Sequence, residues 1–248
     1  GPLIASWARS LEIMSRMKID FPQDAAIQLE WSVRQYLRMR RSDGGLLFAG
    51  EECAPAGDAC SALILKMSND RDDQRLVKRF SKSKRGSKSK SANADAKQTE
   101  LPQESSISEW SESGLLQSSW KRGAAKMVFD YSGQSFRLEV GADRTLIVGT
   151  AMPQVRLNGS PLVPSDIFSI VCDEFDAEVD YVELEIELDF PGEAGQASQD
   201  DTKSVTRLNR QLILSHKEQF LIIADCVVPA ESGRIEYQCE WPFAKGVD

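Results

Sequence analysis

Two hydrophobic rhythms divide this chain. Up to about Phe80 the apolar positions recur at helical spacing; from Trp110 to Trp241 they alternate with polar ones in short runs. Trp7, Leu11, Met14 and Met17 fall on one face of a helix. Phe21-Pro22 interrupts it, since proline lacks the N–H that a continuing helix needs. A second helix is expected to start at Asp24 as N-cap, with Ala26, Leu29, Val33, Tyr36 and Leu37 along one stripe. Ser42-Asp43-Gly44-Gly45 reads as a turn, and Asp58 as the cap of a third helix through Ala59, Leu63 and Met67 toward Phe80.

The second rhythm predicts strands at Gly114–Trp120, Ala125–Tyr131, Gln134–Val140, Arg144–Gly149, Gln154–Leu157, Ile167–Asp173, Tyr181–Phe190, Ser204–His216, Gln219–Val228 and Arg234–Trp241. Asn158-Gly159 is a tight hairpin turn. Helices followed by a run of strands, rather than alternating with them, predict an α+β chain: helical hairpins, then a large antiparallel β-sandwich. The expected divisions are a helical segment over 1–80, a basic, polar and disordered linker over 81–109, and a sandwich domain over 110–248. A few amphipathic helices cannot bury all their apolar faces alone, and Trp7 already lies inside a helical pattern. The β unit or missing helices must cover those faces, and the Gly-Pro-Leu start reads as a tag scar or, as favoured here, the cut end of a longer protein.

Charge and composition narrow the function. The net charge of −8 disfavours a general nucleic-acid binder. No apolar run approaches the ~20 residues that a membrane helix needs, so membrane insertion is not expected. Lys78 to Lys90 holds lysines and arginines without an acidic residue. A patch for phosphate, anionic lipid or acidic polysaccharide is one reading of it. The absence of aromatics after Phe80 favours a solvated linker.

The residues that carry chemistry are sparse. His216 is the single histidine, so a multi-histidine metal site is excluded within the chain, and neither a metal nor a cofactor is expected. It sits in a hairpin turn, Ser215-His216-Lys217-Glu218, with no orienting carboxylate evident nearby. His216 and Tyr131 are the candidate catalytic bases; surface decoration and packing are the plainer readings. Cys172, Cys226 and Cys239 lie in apolar strand patterns and are expected to be buried thiols, and Cys53 and Cys60 form no C-x-x-C pair with any of them. Val182 to Phe190 alternates without a break, which puts Glu183, Glu185, Glu187 and Asp189 on one strand face. Same-face neighbours lie nearly 7 Å apart, too straight a ladder to converge on one calcium ion. A solvated face paired with cations is expected, with Arg207 and Arg210 as the cations.

Several stretches resemble the C-terminal part of heparinase II/III-like polysaccharide lyases, which join an α/α toroid to a β-sandwich. Arg41-Ser42-Asp43-Gly44-Gly45 is similar to an Asp-Gly loop late in the toroid. Ser113 to Trp120 resembles the first sandwich strand. Ser135 to Val140 with Leu146 to Gly149 resembles the family's Ser-Phe strand and its partner, and Arg210 to Leu214 with Phe220 to Asp225 a later hairpin. The resemblance implies an acidic polysaccharide partner, upstream toroid helices, and an exported or periplasmic setting. It also exposes a departure: the family's H-x-H-x-D positions fall on Val128, Asp130 and Ser132. The expectation is therefore a section that supports or binds acidic polysaccharide without catalysis of its own. Its candidate sugar contacts are Arg38, Arg40, Arg41, Trp120, Lys121 and Arg122. The alternatives are part of an active lyase with its chemistry in upstream helices, or an unrelated β-sandwich interaction module.

Overall fold

The computed structural model describes residues 2–40, 47, 74–75, 104–121, 123–142, 144–191 and 205–246. The chain divides into two compact units, Gly1–Glu104 and Ser105–Asp248. In the first, α1 spans Pro2–Met17 and α2 spans Gln23–Arg38, and the two are in contact. α1 ends in a Schellman-type turn: Lys18 takes a left-handed backbone (φ 55°) while the Ile19 N–H reaches the Met14 carbonyl at 3.0 Å. The expected cap of α2 needs correction. Pro22 occupies the N-cap without a side-chain bond, and Asp24 lies in the first turn, where its charge suits the helix dipole. Leu29, Val33, Tyr36 and Leu37 form the buried stripe that their spacing predicts. Of the expected third helix only Gln74 and Arg75 are described, and both are helical; the glycine turn and the Lys78–Lys90 segment lie outside the described residues. No described helix is long and apolar enough to cross a membrane.

The second unit holds two antiparallel sheets. The first runs in sequence order: β1 (Ser106–Ser108), β2 (Ser113–Gln117), β3 (Lys126–Asp130), β4 (Arg137–Gly141) and β5 (Thr145–Thr150). The second contains β6 (Gln154–Leu157), β7 (Ser160–Pro164), β8 (Ser169–Phe175), β9 (Val179–Asp189), β10 (Thr206–Ser215), β11 (Leu221–Val228) and β12 (Ile235–Gln238). Its order is β11-β10-β9-β7-β6-β12, with β8 also joined to β9. Helices followed by a sandwich is the α+β arrangement expected from the two rhythms.

Alternation builds the core. Leu116, Met127, Phe129 and Leu138 point inward from the first sheet and meet Leu184, Ile186, Leu208 and Leu212 from the second. Asn158 (φ 53°) and Gly159 (φ 82°) make the primed turn between β6 and β7. Two strands lie outside the sequence reading. β1 is short and falls within the stretch read as linker. β7 carries Pro161 and Pro164, whose missing N–H groups argue against a strand on sequence grounds. The thiols also depart from expectation: Cys226 is exposed on the outer face of β11, and Cys172 and Cys239 are half-buried.

The segment after β12 crosses to the first sheet. The Val148 N–H donates to the Pro242 carbonyl (2.9 Å), the Ala244 N–H to Leu146 (2.8 Å), and Phe243 bridges Ile147. This covers the outer edge of β5. Gly149 permits the approach, since a Cβ there would stand 2.9 Å from the Pro242 ring.

Candidate functional site

The alternation of β9 places its carboxylates as expected. Val182, Leu184, Ile186 and Leu188 are buried, while Glu183, Glu185, Glu187 and Asp189 face outward. The expected cations are only half right. Arg207 Nε stands 3.7 Å from Glu185. Arg210 is an odd number of residues further on and therefore points the other way, into the core. Neutral groups serve Glu183 instead: it accepts from the Tyr181 hydroxyl at 2.8 Å and from Asn209 at 3.1 Å. The tyrosine bond is the chief cause that holds the Glu183 carboxyl below its usual range. Burial, together with that bond, pushes Tyr181 up to about 12.

Beside this ladder lies a groove of about 650 Å³ whose wall carries Glu109, Glu112, Asp166, Asp173, Glu185 and Glu187. Four stretches of chain bring them together: the β1–β2 turn, the β7–β8 loop, β8 and β9. Ile167, Phe168, Ile170 and Val171 supply apolar lining between the charges. Apart from Arg207 at Glu185, no described cation pairs with these carboxylates. No three His, Cys, Asp or Glu side chains among the described residues are close enough to hold a metal ion. The groove is thus a dispersed negative surface. Tyr131, at the end of β3, lines it. Its ring packs with Phe129 and the residue is only 3% exposed. Burial, reinforced by Glu109, Glu112 and Asp173, pushes its hydroxyl up to about 12, so it remains a protonated donor.

A second charged cluster sits inside the sandwich. Arg210 is fully buried and grips Asp225 with two bonds, Nε to Oδ1 at 2.8 Å and Nη2 to Oδ2 at 2.7 Å. Nη1 donates to the Ala151 carbonyl at 2.6 Å. The guanidinium lies over the Phe136 ring at 4.7 Å and the Trp241 ring at 5.6 Å, and the Tyr237 hydroxyl donates to Asp225. Burial alone would lower the Arg210 pKa; the bonds and charge of Asp225 outweigh it and raise the pKa. The constellation ties β10, β11, the β5–β6 link and the segment after β12 into one core.

His216 does acquire a carboxylate neighbour, which the sequence reading missed. Its Nε2 stands 2.8 Å from Asp180 Oδ2, and Asp180 is buried. Ser105 Oγ donates to the same oxygen and accepts from the Gln117 N–H at 2.8 Å. In a hydrolytic triad the histidine lies between serine and acid. Here the acid lies between, so the histidine does not activate the serine; the hydrogen-bonded tie runs from Gln117 through Ser105 to Asp180, and the His216 Nε2 stands beside it without a hydrogen bond. Parity gave a signal: Asp180 falls on the inward face of β9, in step with Val182.

The other candidates are scattered. Arg38 is half-buried, Arg40 and Trp120 are buried, and Lys121 is exposed. Lys126 Nζ stands 5.9 Å from the Trp120 ring centre. Arg41 and Arg122 lie outside the described residues. Tyr131 lines the groove and His216 does not. Comparison with family models, with curated proteins and with solved structures finds no match.

Proposed function

We propose that this chain is a non-catalytic section built on the plan of the C-terminal part of heparinase II/III-like proteins, and that it supports or binds an acidic polysaccharide. The observation that carries this reading is what occupies the family's histidine positions. Val128 is fully buried in β3, between Leu115 and Glu139 of the neighbouring strands. Asp130 is engaged by the Ser132 N–H (2.9 Å) and hydroxyl (2.7 Å). Eliminating across a uronic acid needs a base at C5 and an acid at the leaving oxygen. Tyr131 keeps its proton to about pH 12 and His216 is turned onto Asp180, so neither supplies that pair. The order of helical hairpin and sandwich supports the kinship. The acidic groove would repel uronates, which directs sugar contact to the cationic candidates, of which Lys121 is the exposed one among the described residues.

Calorimetric titration with a panel of uronate and sulfated polysaccharides tests this. Binding that weakens with salt, and weakens further in Lys121→Ala, is expected. A panel with no binder would overturn the binding role. Growth of unsaturated-uronate absorbance with this chain alone would overturn its non-catalytic character.

A further inference from the structure

The acidic groove is unexplained by sugar binding, since its charge has the wrong sign. It has three features that belong together. Its wall carries carboxylates from four chain segments, none gathered tightly enough for a metal ion. At its edge lies an open strand: β8 bonds to β9 along one side, and among the described residues no strand pairs with its other side. Successive residues from Asp166 to Val171 line the groove. Ser169 and Ile170, the first two residues of β8, both line it and face opposite ways, and the outward Glu185 and Glu187 line it together with the buried Tyr131 and Phe168, so the groove runs around the strand's margin rather than over one face. The third feature is Tyr131, a protonated donor on a residue only 3% exposed that lines the groove.

We infer that this groove takes an extended lysine- and arginine-rich peptide segment, which adds as a strand to the free edge of β8. Strand addition satisfies the edge's backbone groups, and alternate side chains give specificity. Basic side chains of the incoming strand meet Glu112, Asp173 and Glu187, while their aliphatic stems lie on Ile167 and Val171, both exposed. A peptide also offers backbone carbonyls to which the Tyr131 hydroxyl can donate. A compact divalent ion would leave the spread carboxylates unsatisfied.

The test is fluorescence anisotropy of the whole chain with a labelled decapeptide of alternating lysine and valine. The controls are the same peptide with alternate backbone nitrogens methylated, its glutamate counterpart, and spermine as competitor. Saturable binding is expected, lost on methylation and absent for the glutamate peptide. Neutralising Asp173→Asn with Glu187→Gln should weaken it about tenfold or more, the loss of a few close charge pairs. Tyr131→Phe should weaken it severalfold with thermal unfolding little changed. Equal binding of the methylated peptide, or full displacement by spermine at the same charge concentration, would overturn strand addition. No binding at low salt would overturn the proposal and leave the acidic edge as a guard against edge-to-edge aggregation.

Discussion

Asp225 and Asp173 carry the same side chain on strands of the same sheet, and the fold treats them in opposite ways. Asp225 is enclosed with Arg210, held by paired bonds, and capped by Tyr237. Asp173 stands in a groove with other carboxylates and no described cation. A charge taken from water is tolerable only with a partner of good geometry; a charge left in water can crowd others at little cost. The core therefore depends on individual contacts, and the groove depends on the sum of its field. That distinction separates a residue whose loss unfolds the sandwich from residues whose loss changes only what it attracts.

The comparison breaks first at the core. Asp225→Ala should cost about 3–5 kcal/mol, since it strands a buried guanidinium. Replacing both partners, Arg210→Met with Asp225→Leu, should recover much of that loss. Urea denaturation measures both; a neutral Asp225→Ala would show that the pair is ornamental.

Lys126 sharpens the same contrast, as a half-buried cation handled by releasing its proton. Burial pulls it down to about 7, against a partial counter-pull from Glu139. Below that pH the lysine is charged whether folded or unfolded, and the fold carries the full cost of burying it. From about 7 to 10.5 the folded lysine has released a proton that the unfolded chain keeps. Stability should rise with pH there, by at most about 1.4 kcal/mol per unit. The rise should vanish in Lys126→Met, as followed by thermal melts. Above about pH 10 the sign reverses, because Tyr131 and Tyr181 stay protonated in the fold to about 12.

Glu183 lies between the extremes, half-buried and served by neutral donors. Glu183→Gln should cost about 1 kcal/mol or less. Its lowered pKa contributes stability that is present above the unfolded carboxyl value and lost as pH falls through the folded one. An acid titration followed by circular dichroism should therefore show a flatter limb in the variant. Smallest of all, Glu187→Gln in the groove should move stability within about 0.5 kcal/mol, upward at low salt, with the gain erased at high salt. A large loss there would mean that the groove is structural after all.

Much of the fold was legible because alternation is a local property. The β9 ladder could be read directly, and so could the Asn158-Gly159 turn. Arg210 was readable too: it shares parity with Leu208 and Leu212, and period two alone sends it inward, away from Arg207. The groove was not readable, because its carboxylates sit on segments that meet only once β8 has folded against β9. Glu112 and Glu187 share no sequence pattern. The strand β7 was hidden by its prolines, and the pairing of His216 with Asp180 by the strand length that separates them. The proposed polysaccharide partner has no counterpart in the strand pattern; it rests on family resemblance alone, and the titration with polysaccharides tests it.

The short run from Pro242 to Ala244 has a bearing on how the sandwich is made. The first sheet cannot close its far edge until those residues have left the ribosome, because Ile147 waits for Phe243. Until then β5 presents bare backbone to any other chain nearby. Closing the sheet thus depends on a contact distant in sequence, which is slow to form, and β5 stays open to misassembly until it does.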